Sequence, residues 1–165
     1  MPEDVLVRHA VRALLVAADE PRVLLSQLLV PDSGRQIWLA PGGGIEPGED
    51  HAAALKREVF EETGWHLDEA QGPVWCRQHE FVFRGRRINQ HETYYVAVVP
   101  HFTPTLENNV DASEAELMGA FKWWPLDEIQ ASDDIFVPVT FGQHFEVLLE
   151  GLARGELAAL IDVGV

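Results

Sequence analysis

Residues 42–65 read GGGIEPGEDHAAALKREVFEETGW, a glycine run leading into one helix. Asp50 has the short carboxylate that caps a helix start, and Glu49 beside it suits the positive end of the helix dipole. Ala52, Leu55 and Val59 recur on one face, with Phe60 flanking. Gly64 stands where a glycine just past the last turn ends a helix. Glu58, Glu61 and Glu62, at i, i+3 and i+4, share another face. Everything else in the chain is read outward from this unit.

The glutamate placement is poor for stability. Glu58 and Glu62 are like charges one turn apart, at a cost of roughly a few tenths of a kcal/mol. All three lie toward the helix C-terminus, where the dipole disfavours anions. Arg57, four residues before Glu61, offsets them. A divalent cation turns such repulsion into coordination, and clustered oxygen ligands suit Mg²⁺ or Mn²⁺. The plain alternative is a solvated acidic face, in keeping with 27 Asp and Glu against 12 Lys and Arg. The spacing alone leaves both readings open.

From Gly43 there are five residues to Glu49 and seven more to Arg57, which opens the run Arg57-Glu58-Val59-Phe60-Glu61-Glu62-Thr63-Gly64-Trp65. This resembles the Nudix box, G-x5-E-x7-R-E-U-x-E-E-x-G-U, where U is bulky and aliphatic. Every fixed position matches. Trp65 stands where Ile, Leu or Val is usual, at a position that packs rather than reacts. A looser resemblance to the whole Nudix domain covers roughly residues 8–130. It implies an α/β fold, an α/β/α sandwich on a mixed β-sheet.

It also implies hydrolysis of a nucleoside diphosphate linked to another moiety X, by attack of water on a phosphorus of the P–O–P bridge. Mg²⁺, or Mn²⁺, is the implied cofactor. Glu58, Glu61 and Glu62 are then its ligands, with the backbone carbonyl of Gly42. Arg57 orients the glutamates, and Glu49 supports them or reaches the metal through water. A further carboxylate, ligand or general base, is expected from residues 101–119. Asp111, Glu114 and Glu116 are the candidates, and Glu116, nearest the next strand, is preferred. The turn Ala40-Pro41-Gly42-Gly43-Gly44 is similar to that of phosphoinositol-pyrophosphate and dinucleoside-polyphosphate hydrolases. A Nudix-fold nucleotide sensor is the non-enzymatic alternative, disfavoured because a sensor needs no activated water.

Taken in order, residues 5–18 read as a strand, with Arg8 and Arg12 outward or toward a cleft. Residues 23–30 form a second strand, which Pro31-Asp32-Ser33-Gly34 breaks, and 37–39 a short third. Residues 74–83 and 92–99 form a hairpin with Arg84, Arg86 and Arg87 at or near its tip. These arginines suit phosphate binding, against the plain reading of a solvated tip. Residues 101–119 read as a loop. FKWW, 121–124, is a short strand whose Trp123 and Trp124 face opposite ways. Pro125 starts a short helix as its first residue. Residues 140–154 form an amphipathic helix through Phe141, Phe145, Leu148, Leu149 and Leu152. The apolar tail after Gly155 packs somewhere, a second subunit included.

The chain has 165 residues, enough for a single domain, 1–165, with helix and tail 140–165 at its end. A net charge of −15 argues against duplex nucleic acid or an anionic membrane as partner. A small diphosphate substrate therefore needs local cations. Cys76 is the sole cysteine, so no internal disulfide forms, and it reads as a small hydrophobe rather than a nucleophile. No signal peptide or membrane-length apolar run is seen, which makes the cytoplasm the expected location.

Overall fold

The computed structural model describes residues 4–31 and 33–165. Asp32, at the break after the second strand, lies outside them. The elements run β1 (Leu6–Ala17), β2 (Arg22–Val30), β3 (Arg35–Leu39), β4 (Gly42–Gly44), α1 (His51–Thr63), β5 (Gln71–Phe83) and β6 (Arg86–Val99). They continue α2 (Ala112–Leu117), β7 (Met118–Pro125), α3 (Leu126–Ala131), β8 (Ile135–Phe136), α4 (Phe141–Arg154) and β9 (Ile161–Asp162).

The sheet order is β8-β3-β2-β1-β6-β5-β9, with β4 paired to β1 and β7 to β2. The sheet is mixed because β1 and β6 run parallel, Leu6 opposite Ile88 through Ala17 opposite Val99, while β5 is antiparallel to β6. Strand parity then divides the core in two. Val11, Ala13 and Leu15 of β1 face Ala54, Leu55 and Val59 of α1. Leu14 and Val16, with Trp75 and Tyr94, face Phe141, Phe145 and Leu148 of α4. Burying each large apolar side chain contributes roughly 1.5–3 kcal/mol at most. The result is the expected helix, sheet, helix sandwich. Among the described residues no helix is long and apolar enough to cross a membrane.

The ends of α1 follow the sequence reading. The Asp50 side chain accepts from the Ala53 N–H at 2.7 Å, and Gly64, at φ 78°, donates its N–H to the Phe60 carbonyl. The buried face is rotated from the expected one. Ala52 is exposed, and Ala54 packs instead. Glu58 and Glu62 are 9% and 5% exposed on that same buried side. A solvated acidic face is therefore not what the helix presents.

Two further differences have local causes, and two open readings are narrowed. Residues 101–119 are not all loop: α2 forms within them, and β7 starts at Met118, three residues early, because Met118 pairs with Leu28 of β2. Pro125 is the extended N-cap of α3, at φ −68° and ψ 151°, rather than its first helical residue. The apolar tail packs on its own chain through β9, Trp75 opposite Ile161, with Val163 in the core. Trp123 and Trp124 face opposite sides of the sheet, as expected, and Trp123 is engaged. Its Nε1 donates to the Phe102 carbonyl and its ring packs edge-on against Phe102, while Trp124 is buried beside Trp38 and Phe136.

Candidate active site

The box helix lies along the glycine strand in step with it. Glu62 Oε2 accepts the N–H of Gly42 at 2.8 Å. The Glu58 carboxylate rests against Gly43, and Arg57 Nη2 donates to the Gly44 carbonyl at 2.9 Å. Three helix side chains thus engage three successive strand residues. Two of the glycines are required for that fit. A Cβ on Gly42, at φ 154°, would lie 2.0 Å from the Val11 carbonyl oxygen, and one on Gly43 would lie 2.6 Å from the Glu58 carboxylate.

Arg57 is the hub. Nε and Nη2 hold Glu49 bidentately at 2.8 and 2.9 Å, and Nη1 reaches Glu58 at 2.8 Å and Glu61 at 3.3 Å. Glu46 stands at the rim, 3.8 Å away. The hydrogen bonds from Arg57, then the Glu46 N–H, hold the Glu49 carboxyl far down, at about 2. Hydrogen bonding to Glu49 in turn raises the already high pKa of Arg57, despite burial. One guanidinium therefore faces four carboxylates.

An all-oxygen donor set with surplus negative charge fits a hard divalent cation, and the Glu58 carboxylate packs so closely on Gly43 that a Cβ there would lie 2.6 Å from it. Among the described residues no three His, Cys, Asp or Glu side chains converge as a preformed metal cluster. Glu58 is turned to Arg57 and Glu62 to Gly42.

The other predicted residues are placed differently. Glu116 is exposed on α2 and makes no hydrogen bond or ion pair among the described residues, and the Glu114 side chain lies outside the described part of the chain. Asp111 accepts from the Ser113 N–H at the start of α2. The preceding segment is tied to the box helix: Thr105 donates its N–H to the Thr63 carbonyl at 3.0 Å. The structure thus brings this loop to the end of α1 without bringing Glu116 into contact with the box. Arg84 and Gly85, at φ 52° and 77°, form the hairpin turn. Arg84 covers the Phe83 ring, Arg87 pairs with Glu80 at 3.3 Å, and Arg86 is exposed. Cys76 is partly buried, and burial, then Asp162, pushes its thiol pKa up, which suits packing rather than attack.

Four residues near the box carried no assigned role in the sequence reading. Arg8 donates to Gln90 Oε1 at 3.1 Å, and its guanidinium lies against Gly44. Arg12, Arg77 and Glu92 form an inner cluster. Glu92, 2% exposed, accepts from Arg12 Nε through one oxygen and from Arg77 Nη1 through the other. Burial alone would raise the Glu92 pKa, but Arg12 and Arg77 together hold it below its ordinary value. A signal existed in the sequence: charges at Arg77 and Glu92 share inward parity with Trp75 and Tyr94.

Known proteins carry the same pattern. Residues 7–141 match the model of the NUDIX domain. The chain is 47% identical over 133 residues to the RNA pyrophosphohydrolase of Rhodopseudomonas palustris (strain BisA53), taking in 72% of this chain and 71% of that one. It is 41% identical over 69 residues to the human 8-oxo-dGDP phosphatase, in 36% of this chain and only 20% of that relative's length. The Caenorhabditis elegans Ap4A hydrolase, solved as a binary complex, superposes with a TM-score of 0.59 at 20% identity, covering 87% of this chain and 98% of that one. At that identity the likeness is one of fold. Box spacing, domain match and sandwich architecture agree, and the chain belongs to the Nudix family.

Proposed function

We propose that the protein hydrolyses a pyrophosphate bond in a nucleoside diphosphate linked to another moiety X, using Mg²⁺ or Mn²⁺. The observation that carries this reading is the charge imbalance at the box, four carboxylates about one guanidinium beside a glycine cradle. Glu58, Glu61 and Glu62, with the Gly42 carbonyl and Glu116, would hold the metal. When bound, it neutralises phosphate oxygens and makes water a competent nucleophile at neutral pH. The chain does the rest. The Gly42 N–H fixes Glu62, and Arg57 fixes Glu58 and Glu61. Glu116 on α2 supplies the further carboxylate, as metal ligand or as general base for the attacking water. Arg8, against Gly44, binds a phosphate oxygen beside the reacting centre.

The hairpin arginines reach moiety X. Gln90 pairs with Arg8, and Arg86 lies four residues further along β6, about 13 Å at roughly 3.3 Å per residue. The likeness to an RNA pyrophosphohydrolase supports substrates with an accessible phosphoanhydride. A cytoplasmic location belongs to the same proposal. The test is phosphate release from a panel of nucleoside di- and triphosphates, dinucleoside polyphosphates and inositol pyrophosphates, with Mg²⁺ and with excess chelator. Turnover of at least one substrate that the chelator abolishes is expected. Undiminished turnover in chelator overturns the metal reading.

A further inference from the structure

Glu92 on β6 lies between two strands that each supply one guanidinium, and each guanidinium has a second task. Arg12 Nη1 donates to the Ala40 carbonyl at 2.8 Å, two residues before Gly42. Arg77 Nε donates to the Gly164 carbonyl at 3.3 Å, in the C-terminal tail. The tail is itself anchored: Val163 donates its N–H to the Cys76 carbonyl at 2.9 Å, and Val139 donates to the Val165 carbonyl at 3.0 Å. At the other end, the Gly42 N–H meets Glu62. A continuous path therefore runs from Gly164 through Arg77, Glu92 and Arg12 to the Ala40–Gly42 turn and the box helix.

Stability alone does not explain a charged path here. A buried carboxylate between two arginines is often no better than well-packed apolar residues of the same volume. What the arginines add is direction. A planar guanidinium that holds a carboxylate with one N–H aims its remaining N–H groups along fixed lines. Here those lines end on the carbonyl before the glycine strand and on the tail.

We infer that Arg77–Glu92–Arg12 is a positioning chain through which the C-terminal tail holds the Ala40–Gly42 turn, so that the Gly42 amide meets the Glu62 carboxylate. Arg12 and Glu92 are positioning residues and touch no substrate. The inference rests on the proposed active site for its consequence, but its mechanics exist in the metal-free protein.

The experiment is amide hydrogen exchange by NMR on the metal-free protein, comparing wild type with Glu92→Gln and Arg77→Lys. Arg77→Lys keeps the cation and removes the fork that spans Glu92 and Gly164. The Gly42 amide should exchange at least tenfold faster in both variants, while Val59, in the middle of α1, changes less than twofold. Leu148→Ala serves as the control, since it weakens the α4 side of the core off the path, and it should leave the ratio of Gly42 to Val59 exchange as in wild type. If Glu92→Gln fails to fold, Arg77→Lys decides alone. Unchanged Gly42 exchange, or Gly42 and Val59 accelerated together, overturns the inference in favour of a purely structural cluster. Titration of Mn²⁺ alone into wild type, read by EPR, checks the metal site separately. No binding there defeats the metal assignment and leaves the exchange comparison to decide the positioning.

Discussion

Arg57 and Glu92 each stand at the centre of a charge cluster, and the two clusters are unbalanced in opposite senses. Around Arg57 one cation meets Glu46, Glu49, Glu58 and Glu61 within 4 Å. Around Glu92 one anion meets Arg12 and Arg77. The outer cluster touches solvent, with the Arg57 side chain 23% exposed and Glu46 64%. The inner one is sealed, with Glu92 at 2% and Arg77 at 5%. Surplus anions within reach of water suit the exchangeable cation proposed above. A sealed cluster exchanges nothing, so its charges serve geometry. Glu62, beside the outer cluster on α1, lies within electrostatic reach of the inner one: burial lowers the Arg12 pKa, and the Glu62 charge is among those that raise it. Changes in the inner cluster should therefore cost stability, and changes in the outer one should cost rate.

The largest effect is expected from Glu92→Ala. Breaking a buried pair strands the remaining charges, typically at about 3–5 kcal/mol. At roughly 2–4 °C per kcal/mol for a chain of this size, the melting temperature should fall by about 6–20 °C. Acid should show the same cluster. The folded Glu92 carboxyl lies below its ordinary 4.5, so the unfolded chain binds more protons there, and stability rises with pH. That contribution is full above about 4.5 and is lost as pH falls through the folded value. Glu49, held at about 2, loses its share between 4.5 and 2. Thermal melts from pH 7 to 3 should be less steep in pH for Glu92→Ala than for wild type. A melting temperature within 2 °C of wild type, or an unchanged pH slope, would break the inner half of the comparison.

Glu62→Gln tests the outer half. Its amide oxygen still accepts the Gly42 N–H, so the fold is kept. The charge proposed for the metal is gone, and kcat should fall by more than the roughly 10- to 100-fold that losing a partner outside the ligand set costs. Relief of the Glu58–Glu62 repulsion should leave the metal-free melting temperature equal or slightly higher. A wild-type rate would remove Glu62 from the proposed ligand set. Arg57→Lys should follow at ten- to a hundredfold in kcat, because a lysine cannot hold Glu49 bidentately while reaching Glu58 and the Gly44 carbonyl. A loss below threefold would make Arg57 a mere counter-charge.

The outer cluster was legible in the sequence, and the inner one was not, for a physical reason. Helix contacts repeat at fixed short spacing, so Asp50, Gly64 and the glutamates could be placed by counting. Glu92 meets Arg12 only through the parallel pairing of β1 with β6, 80 residues apart, and meets Arg77 only through hairpin register. Parity tells which face a residue takes, but not which residues lie opposite. The same limit hid the tail, whose two-residue strand pairs with the distant β5, Trp75 opposite Ile161. Helix α2 was missed because six residues of Ala, Ser, Glu and Leu carry too few apolar repeats to show a period. Glu58 and Glu62 were placed on a face apart from the apolar one, yet both are buried on its side, because the glycine strand supplies an N–H for Glu62 and a close fit for Glu58.

The smallest effects separate two sets of arginines that the sequence alone could not rank. Arg8 touches Gly44 and has a neutral hydrogen-bond partner, Gln90, with no carboxylate pair among the described residues. Its charge is therefore available to a phosphate at the box. Arg87 and Arg86 sit about 10 and 13 Å further along β6, with Arg84 in the turn beyond, and Arg87 is already engaged by Glu80. A charge-assisted hydrogen bond contributes about 1.5–3 kcal/mol, so Arg8→Ala should raise KM roughly tenfold with kcat within a factor of three. An exposed tip contact contributes about 0.2–1 kcal/mol and is screened by salt. Replacing Arg84, Arg86 and Arg87 together by Ala should then raise KM only about twofold, and only for substrates whose far moiety spans the distance. Measuring both variants at low and high salt on one short and one long pyrophosphate substrate ranks them. If the triple variant raises KM tenfold on the short substrate while Arg8→Ala leaves it unchanged, the phosphate end of the cleft lies at the hairpin, and the distance from Gly44 to the reacting bond has been misjudged.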